Sequence, residues 1–148
     1  MEYLITPIAK PRMTRRDQWL KRPCVLEYWS FRDQCRLKRV KLPPEGAHVT
    51  FVLSMPDSWP QKKKIEMEGK KHESAPDVDN LLKGLADAVY KNDSCVWDVR
   101  ITKVWGYEGK IVITRNQTKM KDLEEFELAE RQRQRVEAML KVVIKKGK

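Results

Sequence analysis

The sequence predicts a small α/β (α+β) domain, a mixed sheet with packed helices, followed by a long C-terminal helix. Residues 48–55 place Val49, Phe51, Leu53 and Met55 at every second position, as in a strand with one strongly apolar face. Residues 80–90 instead place leucine and alanine at the spacing of one helix face. Beyond residue 117 the composition shifts, and residues 119–146 have the pattern of a single helix.

A chain of 148 residues suits one domain with an appendage. We expect one compact domain over residues 1–117 and a helical extension over 118–148. No apolar run approaches the roughly 20 residues that span a bilayer, and the first residues lack the order of a signal peptide. These features predict a cytoplasmic protein with no membrane partner.

The first half of the chain is expected to form two strands and two helices. Residues 3–6 predict a short strand, residues 25–40 a helix, residues 48–55 a strand and residues 60–68 a short helix. The apolar stripe of the longer helix is expected to comprise Leu26, Trp29, Cys35 and Leu37. Residues 10–23 form a basic loop with one aromatic residue.

The second half is expected to begin with a helix over about 80–90. Its apolar stripe comprises Leu81, Leu82, Leu85, Ala88 and Val89. Residues 96–107 predict a strand, 108–109 a hairpin turn and 110–114 the returning strand. The C-terminal helix is apolar near both ends but polar over residues 130–135, which indicates packing on something else, such as a further partner chain.

The formal net charge of +10 favours an anionic partner, most often nucleic acid. The alternative is a basic surface that serves solubility alone. The cations that could contact DNA are Arg12, Arg15, Arg16, Lys62, Lys63, Lys64, Lys70 and Lys71. Each of these cations lies in a predicted loop or short helix. The alternative to a phosphate contact is that its side chain is only solvated.

Histidine and cysteine are too sparse for the usual soft-metal and triad sites. The cysteines are Cys24, Cys35 and Cys95, with no CxxC pair, which argues against disulfides and a cysteine zinc site. The two histidines lie far apart in sequence, which disfavours a Ser-His-Asp triad. His72, in a charged segment, is expected to be solvated.

Acidic residues are concentrated where an apolar helix should begin. Asp77 and Asp79 are one residue apart, Lys83 follows four residues later, and Asp93 follows the helix. In an extended triplet, the carboxylates of Asp77 and Asp79 would point the same way. Carboxylates without histidine or thiolate suit Mg²⁺ or Mn²⁺, which can activate water for phosphodiester hydrolysis. The alternative is that these acids cap the helix and complement its dipole.

The segment Pro76-Asp77-Val78-Asp79-Asn80-Leu81-Leu82-Lys83, with Asp87-Ala88-Val89 and Lys91-Asn92-Asp93-Ser94 after it, resembles the RusA family of Holliday junction resolvases. The resemblance implies a homodimeric endodeoxyribonuclease that uses Mg²⁺ or Mn²⁺ to cut branched, four-way DNA in recombination and repair. Such proteins are common in phages and prophages. By motif position, Asp77, Asp79 and Asp93 match the family's essential acids, and Lys83 matches its essential lysine.

Two departures and one geometric question accompany this resemblance. Asn92 stands where the family usually has an acid, and Cys95 where glutamine is common. A helix over 80–90 carries the chain ~16 Å from Asp79, and three residues return at most ~10 Å. We therefore expect Asp93 to complete the site of a dimer partner, with Asp98 as the alternative third ligand in the same chain.

Two other classes of function remain open from the sequence. One is a non-catalytic nucleic-acid-binding module in which the acids only cap a helix. The other is a structural protein whose C-terminal helix recruits a partner.

Overall fold

The computed structural model describes residues 1–115 and 117–147, with side chains from residue 125 onward in the last helix. The chain divides into two compact units, Met1–Arg115 and Asn116–Lys148. The elements of the first unit are β1 (Glu2–Tyr3), α1 (Pro23–Leu37), β2 (Ala47–Ser54), α2 (Gln61–Met67), α3 (Val78–Val89), β3 (Val99–Gly106) and β4 (Lys110–Arg115). Short 3₁₀ turns cover Arg15–Gln18 and Asp93–Cys95. The second unit is one helix, α4 (Gln117–Lys146).

The four strands form one mixed sheet in the order β1-β4-β2-β3. β2 pairs in parallel with β3, with Ala47 opposite Val99, and antiparallel with β4, with Ala47 also opposite Arg115. The four helices and the mixed sheet confirm the predicted fold class.

The predicted hairpin between the last two strands is wrong. β3 and β4 lie on opposite sides of β2, so residues 107–109 cross from one neighbour of β2 to the other. Neighbouring strands are ~4.8 Å apart, so the crossing covers ~10 Å, which three linking residues can span. Glycine permits the close approach at each end. A Cβ on Gly106 would lie 2.3 Å from Val52 Cγ1, and one on Gly109 would lie 2.9 Å from Thr6 Cα.

Helices α1 and α3 pack together and share one hydrophobic core with the sheet. The predicted stripe of α3 is confirmed, with Leu81, Leu85 and Ala88 buried. The stripe predicted for α1 is partly wrong, because Leu37 is 82% exposed and Leu26 is 46% exposed. The buried side of α1 instead comprises Val25, Tyr28, Phe31 and Cys35.

The long C-terminal helix is confirmed as α4. Its described side chains are exposed, including the apolar residues Phe126, Leu128, Val136, Met139, Leu140, Val142, Val143 and Ile144. The predicted apolar position at Leu123 lies outside the residues whose side chains are described. Across the described residues, no helix combines the length and the hydropathy needed to cross a membrane.

Candidate active site

The segment before α3 is held along the free edge of β3. Gly69 donates its backbone N–H to Trp105 O at 2.9 Å, and His72 donates to Lys103 O at 3.0 Å. Lys103 Nζ then donates to the carbonyl of Ser74 at 2.5 Å and to that of Pro76 at 2.6 Å. The chain therefore enters α3 from a segment that is fixed by hydrogen bonds to β3.

His72 is buried, contrary to the expectation of a solvated side chain. It is 7% exposed, and the centroid of its ring lies 3.7 Å from the ring centroid of Trp105. The Trp105 ring also contacts the ring of Trp59. Its Nδ1 accepts a hydrogen bond from the backbone N–H of Ser74. Burial and the nearby Lys103 lower the pKa of His72, which favours the neutral ring that this packing requires.

The acids at the start of α3 are not both in extended backbone. Asp77 is the extended residue before the helix, whereas Asp79 lies in the first helical turn. The extended triplet, in which the two carboxylates would point the same way, is therefore not formed. Asp77 makes no side-chain capping hydrogen bond to the first turn, whose residues are all described. Capping by hydrogen bonds therefore does not explain these exposed acids.

Three of the four predicted site residues line one open pocket of about 280 Å³. Asp79, Lys83 and Asp93 share it with the exposed ring of Trp97. Asp77 is not among the lining residues, and neither is Asp98, whose Oδ2 accepts a hydrogen bond from Gly46 N at 3.1 Å. No group of three metal-ligating acids, histidines or cysteines occurs within the described part of the chain.

Lys83 joins the acids of this region. Its Nζ lies 2.6 Å from Asp93 Oδ2 and 3.2 Å from Asp87 Oδ1. The hydrogen bond to Asp93, followed by that to Asp87, raises the pKa of Lys83. The same bond to Lys83 lowers the pKa of Asp93. Lys83 is thus an ammonium group and Asp93 a carboxylate at neutral pH.

The turn after α3 brings Asp93 to Lys83, which lies within the ~10 Å return that the helix-length argument allowed. The backbone turns after Val89, and the Asn92 side chain accepts a hydrogen bond from Ser94 N at 3.1 Å to close the 3₁₀ turn. This turn directs Asp93 back to Lys83, one helical turn beyond Asp79. Asn92 therefore has a structural role at the position where the family usually has an acid.

Lys10 and Asp87 also belong to this charge arrangement, and neither was among the predicted site residues. Lys10 Nζ pairs with Asp87 Oδ2, while the other oxygen of Asp87 contacts Lys83. The Lys10 backbone N–H donates to Asn80 O at 3.2 Å. The sequence signal for this contact was Gly84, an isolated glycine in a helical pattern, which often marks close packing.

Gly84 lets the segment 8–10 cross α3 at close range. A Cβ at this position would lie 2.7 Å from Ile8 O and 3.1 Å from Lys10 N. On the other side, buried Tyr28 donates its hydroxyl to Gly84 O at 3.0 Å. The crossing therefore places Lys10 beside Asp87.

The cations predicted to contact DNA lie elsewhere on the surface. They do not line the acidic pocket. Lys63 lies 4.0 Å above the ring of Trp59, and Lys71 pairs with Glu73 at 2.7 Å. Arg15 and Arg16 form a 3₁₀ turn closed by Asp17 and Arg22, which pair at 2.7 Å.

Comparison with known proteins identifies the family of the chain. The family model described as endodeoxyribonuclease RusA matches residues 6–115. A protein of Bacillus subtilis (strain 168), named uncharacterized protein YqaN, is 34% identical over 89 residues, which are 55% of this chain and 63% of that protein. The chain thus spans less than two thirds of this relative's length. No solved structure matches the chain. Since the family model covers most of the chain and includes every residue of the acidic pocket, this protein belongs to the RusA endodeoxyribonuclease family.

Proposed function

We propose that this protein is a metal-dependent, structure-selective endodeoxyribonuclease that resolves four-way DNA junctions by paired phosphodiester cleavage. The observation that carries the proposal is the shared pocket of Asp79, Lys83 and Asp93 within a RusA-family chain. Asp77, immediately before α3, is proposed as the third acid of the site. The substrate would be bacterial or phage DNA in the cytoplasm.

The donor set of the pocket suits Mg²⁺ or Mn²⁺. Asp79 and Asp93 offer carboxylate oxygens, and the lining contains no histidine or cysteine. Mg²⁺ is commonly held by one or two carboxylates, with waters and substrate phosphate oxygens as the other ligands. Asp79 and Asp93, with Asp77, would hold the ion, and its chemistry when bound is to activate water and neutralise phosphate charge.

Lys83 is proposed to stabilise negative charge on the phosphate. Its raised pKa keeps it protonated at neutral pH, so it acts as a cation and not as a general base. Asp87, which is 19% exposed and also held by Lys10, keeps Lys83 tethered when the Asp93 carboxylate binds another group. Lys83 therefore has one partner that orients it and one that belongs to the proposed metal site.

A homodimer would supply the two sites that paired cleavage requires. We propose that Asp93 of one subunit completes the metal site of the other subunit. The alternative is a local arrangement, in which Asp79 and Asp93 of the same chain hold the metal together. The pocket that Asp79 and Asp93 share supports the local arrangement. Mixing Asp79→Asn chains with Asp93→Asn chains distinguishes the two, because only a site shared between subunits regains cleavage in mixed dimers.

The activity is tested with a synthetic four-way junction, in the presence of Mg²⁺ or of EDTA. We expect paired nicks with Mg²⁺ and none with EDTA. Asp79→Asn should bind the junction but not cut it, because one ligand oxygen is replaced by an amide. Asp57→Asn is the matched control, since Asp57 lies outside the acidic pocket. Cleavage by Asp79→Asn, or no cleavage by the wild type with either Mg²⁺ or Mn²⁺, contradicts the assignment and favours a non-catalytic binding protein.

A further inference from the structure

A second pocket, of about 660 Å³, lies between α1 and the C-terminal half of α3. It adjoins the acidic pocket through Asp87, which lines the second pocket while contacting Lys83 of the first. Asp87 is eight residues beyond Asp79, which is ~12 Å along the helix axis. That distance is the axial rise of three to four nucleotides in one strand of a duplex.

The second pocket is strongly basic. Its charged lining residues are four cations and one acid: Lys10, Arg32, Arg36, Lys91 and Asp87. The acid is already paired with two ammonium groups, those of Lys10 and Lys83. The remaining positive charge is therefore not balanced by the pocket itself.

The arginines have donors without matching acceptors. Arg32 Nε is buried and makes no hydrogen bond, and its ion-pair contact is Asp33, at 3.7 Å. The side chains of Arg36 and Lys91 have no hydrogen bond or ion pair with any side chain in the described residues. Buried donors are normally satisfied, so Arg32 Nε can take an acceptor that solvent or a ligand supplies. Phosphate oxygens match the planar guanidinium, which can bind them in pairs.

The same pocket has an aromatic wall. Trp29 is half-buried in it, with Lys21 Nζ 5.6 Å from the ring centroid. Tyr28 and Tyr90 also line it, but their hydroxyls already donate to the carbonyls of Gly84 and Leu42. They therefore present mainly apolar ring surface. A cationic groove with an indole beside it is the combination that binds the backbone and bases of an unpaired strand.

We propose that this pocket is a DNA-strand subsite, which holds a phosphate on Arg32 and Arg36 and an unpaired base against Trp29, a few nucleotides from the cleaved bond. The inference rests on the proposed nuclease function, whose substrate supplies the strand. It assigns to α1 a role in positioning the branch point relative to the acidic pocket.

The test measures binding to a four-way junction in EDTA across a range of salt concentrations. Arg36→Met is the main variant, because Arg36 is exposed and its loss leaves the core intact. Each phosphate contact contributes about 0.9 to the slope of log K against log salt concentration. For one phosphate of an unpaired strand the contribution is about 0.7. Because Arg32 and Arg36 hold the same phosphate, we expect the Arg32→Met, Arg36→Met double variant to reduce the magnitude of the slope by about 0.7 and Arg36→Met alone to reduce it by less. Arg100→Met, which removes the same charge from an exposed site outside the pocket, should leave the slope unchanged.

Base contact is tested separately by Trp29→Leu, which should weaken binding to oligothymidylate while leaving the salt slope of the junction nearly unchanged. The proposed subsite is overturned if Arg36→Met and the double variant both have the salt slope of the wild type. If the wild type cleaves junctions while these slopes are equal, only the subsite fails. If the wild type cleaves nothing but the slopes fall as expected, the nuclease proposal fails and the strand-binding pocket stands.

Discussion

Replacing Gly84 with alanine should destabilise the protein, although helix propensity alone predicts the opposite. Alanine is favoured over glycine inside a helix by about 1 kcal/mol. Here the new Cβ would lie 2.7 Å from Ile8 O and 3.1 Å from Lys10 N, both backbone atoms that cannot rotate away. Overpacking of this kind costs about 1–3 kcal/mol, and separating the Lys10 N–Asn80 O hydrogen bond costs about 1 kcal/mol more. The net expectation is a loss of about 1–3 kcal/mol.

Urea unfolding followed by tryptophan fluorescence measures this effect. All five tryptophans lie within residues 1–115, so the signal reports the unit that contains α3. The midpoint should fall with an unchanged m-value. Gly147→Ala is the matched control, because its Cβ would lie 3.6 Å from the nearest atom, which is ordinary contact. A Gly84→Ala protein as stable as the wild type would refute the close crossing of segment 8–10 over α3.

Two further predictions concern the segments on either side of the site. Lys103→Met removes both hydrogen bonds to the carbonyls of the segment 74–76, so junction cleavage should fall by more than junction binding in EDTA. Arg100→Met should change neither junction cleavage nor junction binding. If Lys103→Met and Arg100→Met have equal effects on cleavage, a positioning role for Lys103 is excluded. Asp17→Asn should destabilise the protein at pH 7, because Arg22 holds the pKa of this carboxylate well below its ordinary value. A depressed folded pKa gives stability that is present above the unfolded pKa of about 3.9 and is lost as pH falls further. The difference in urea midpoint between wild type and Asp17→Asn should therefore narrow below about pH 4, and a constant difference would count against the ion pair.

The parts of the fold set by local pattern could be predicted from the sequence. The leucines of α3 repeat at the helical period, and β2 alternates at the strand period, so both elements and their buried faces were recognised. Leu26 and Leu37 of α1 were misassigned because several apolar residues fit more than one stripe on that helix. Only packing against α3 selects Val25, Tyr28 and Phe31 as the buried side.

Strand order was beyond the reach of local sequence reasoning. Residues 107–109 have the composition of a hairpin turn, but β4 takes its place on the far side of β2. The crossing over β2 requires close approach between segments that are distant in sequence. Gly106 approaches Val52 and Gly109 approaches Thr6 at distances that leave no room for a Cβ. His72 was misjudged for the same reason, because its charged neighbours in sequence gave no sign of the Trp105 ring that covers it.

The candidate site shows the same division between local and distant contacts. Asp77, Asp79 and Lys83 follow one another in sequence, so their pattern was visible as a motif. Lys10 and Asp87 are 77 residues apart. The isolated Gly84 near Asp87 indicates close packing, but nothing in the sequence identifies Lys10 as the partner of Asp87. The basic pocket was missed likewise, because its arginines lie on α1 and its acid on α3.

Gly84 connects the two pockets in physical terms. Without a Cβ there, segment 8–10 can lie on α3, which places the Lys10 ammonium group beside Asp87. Asp87 then holds Lys83 on the acidic side while Lys10 lines the basic side. A larger residue at position 84 would displace Lys10 from both. Gly84 is therefore needed because the absence of a Cβ leaves room for Lys10, and not because of the conformational freedom of its backbone. Gly84→Ala should reduce junction cleavage by more than its loss of stability explains.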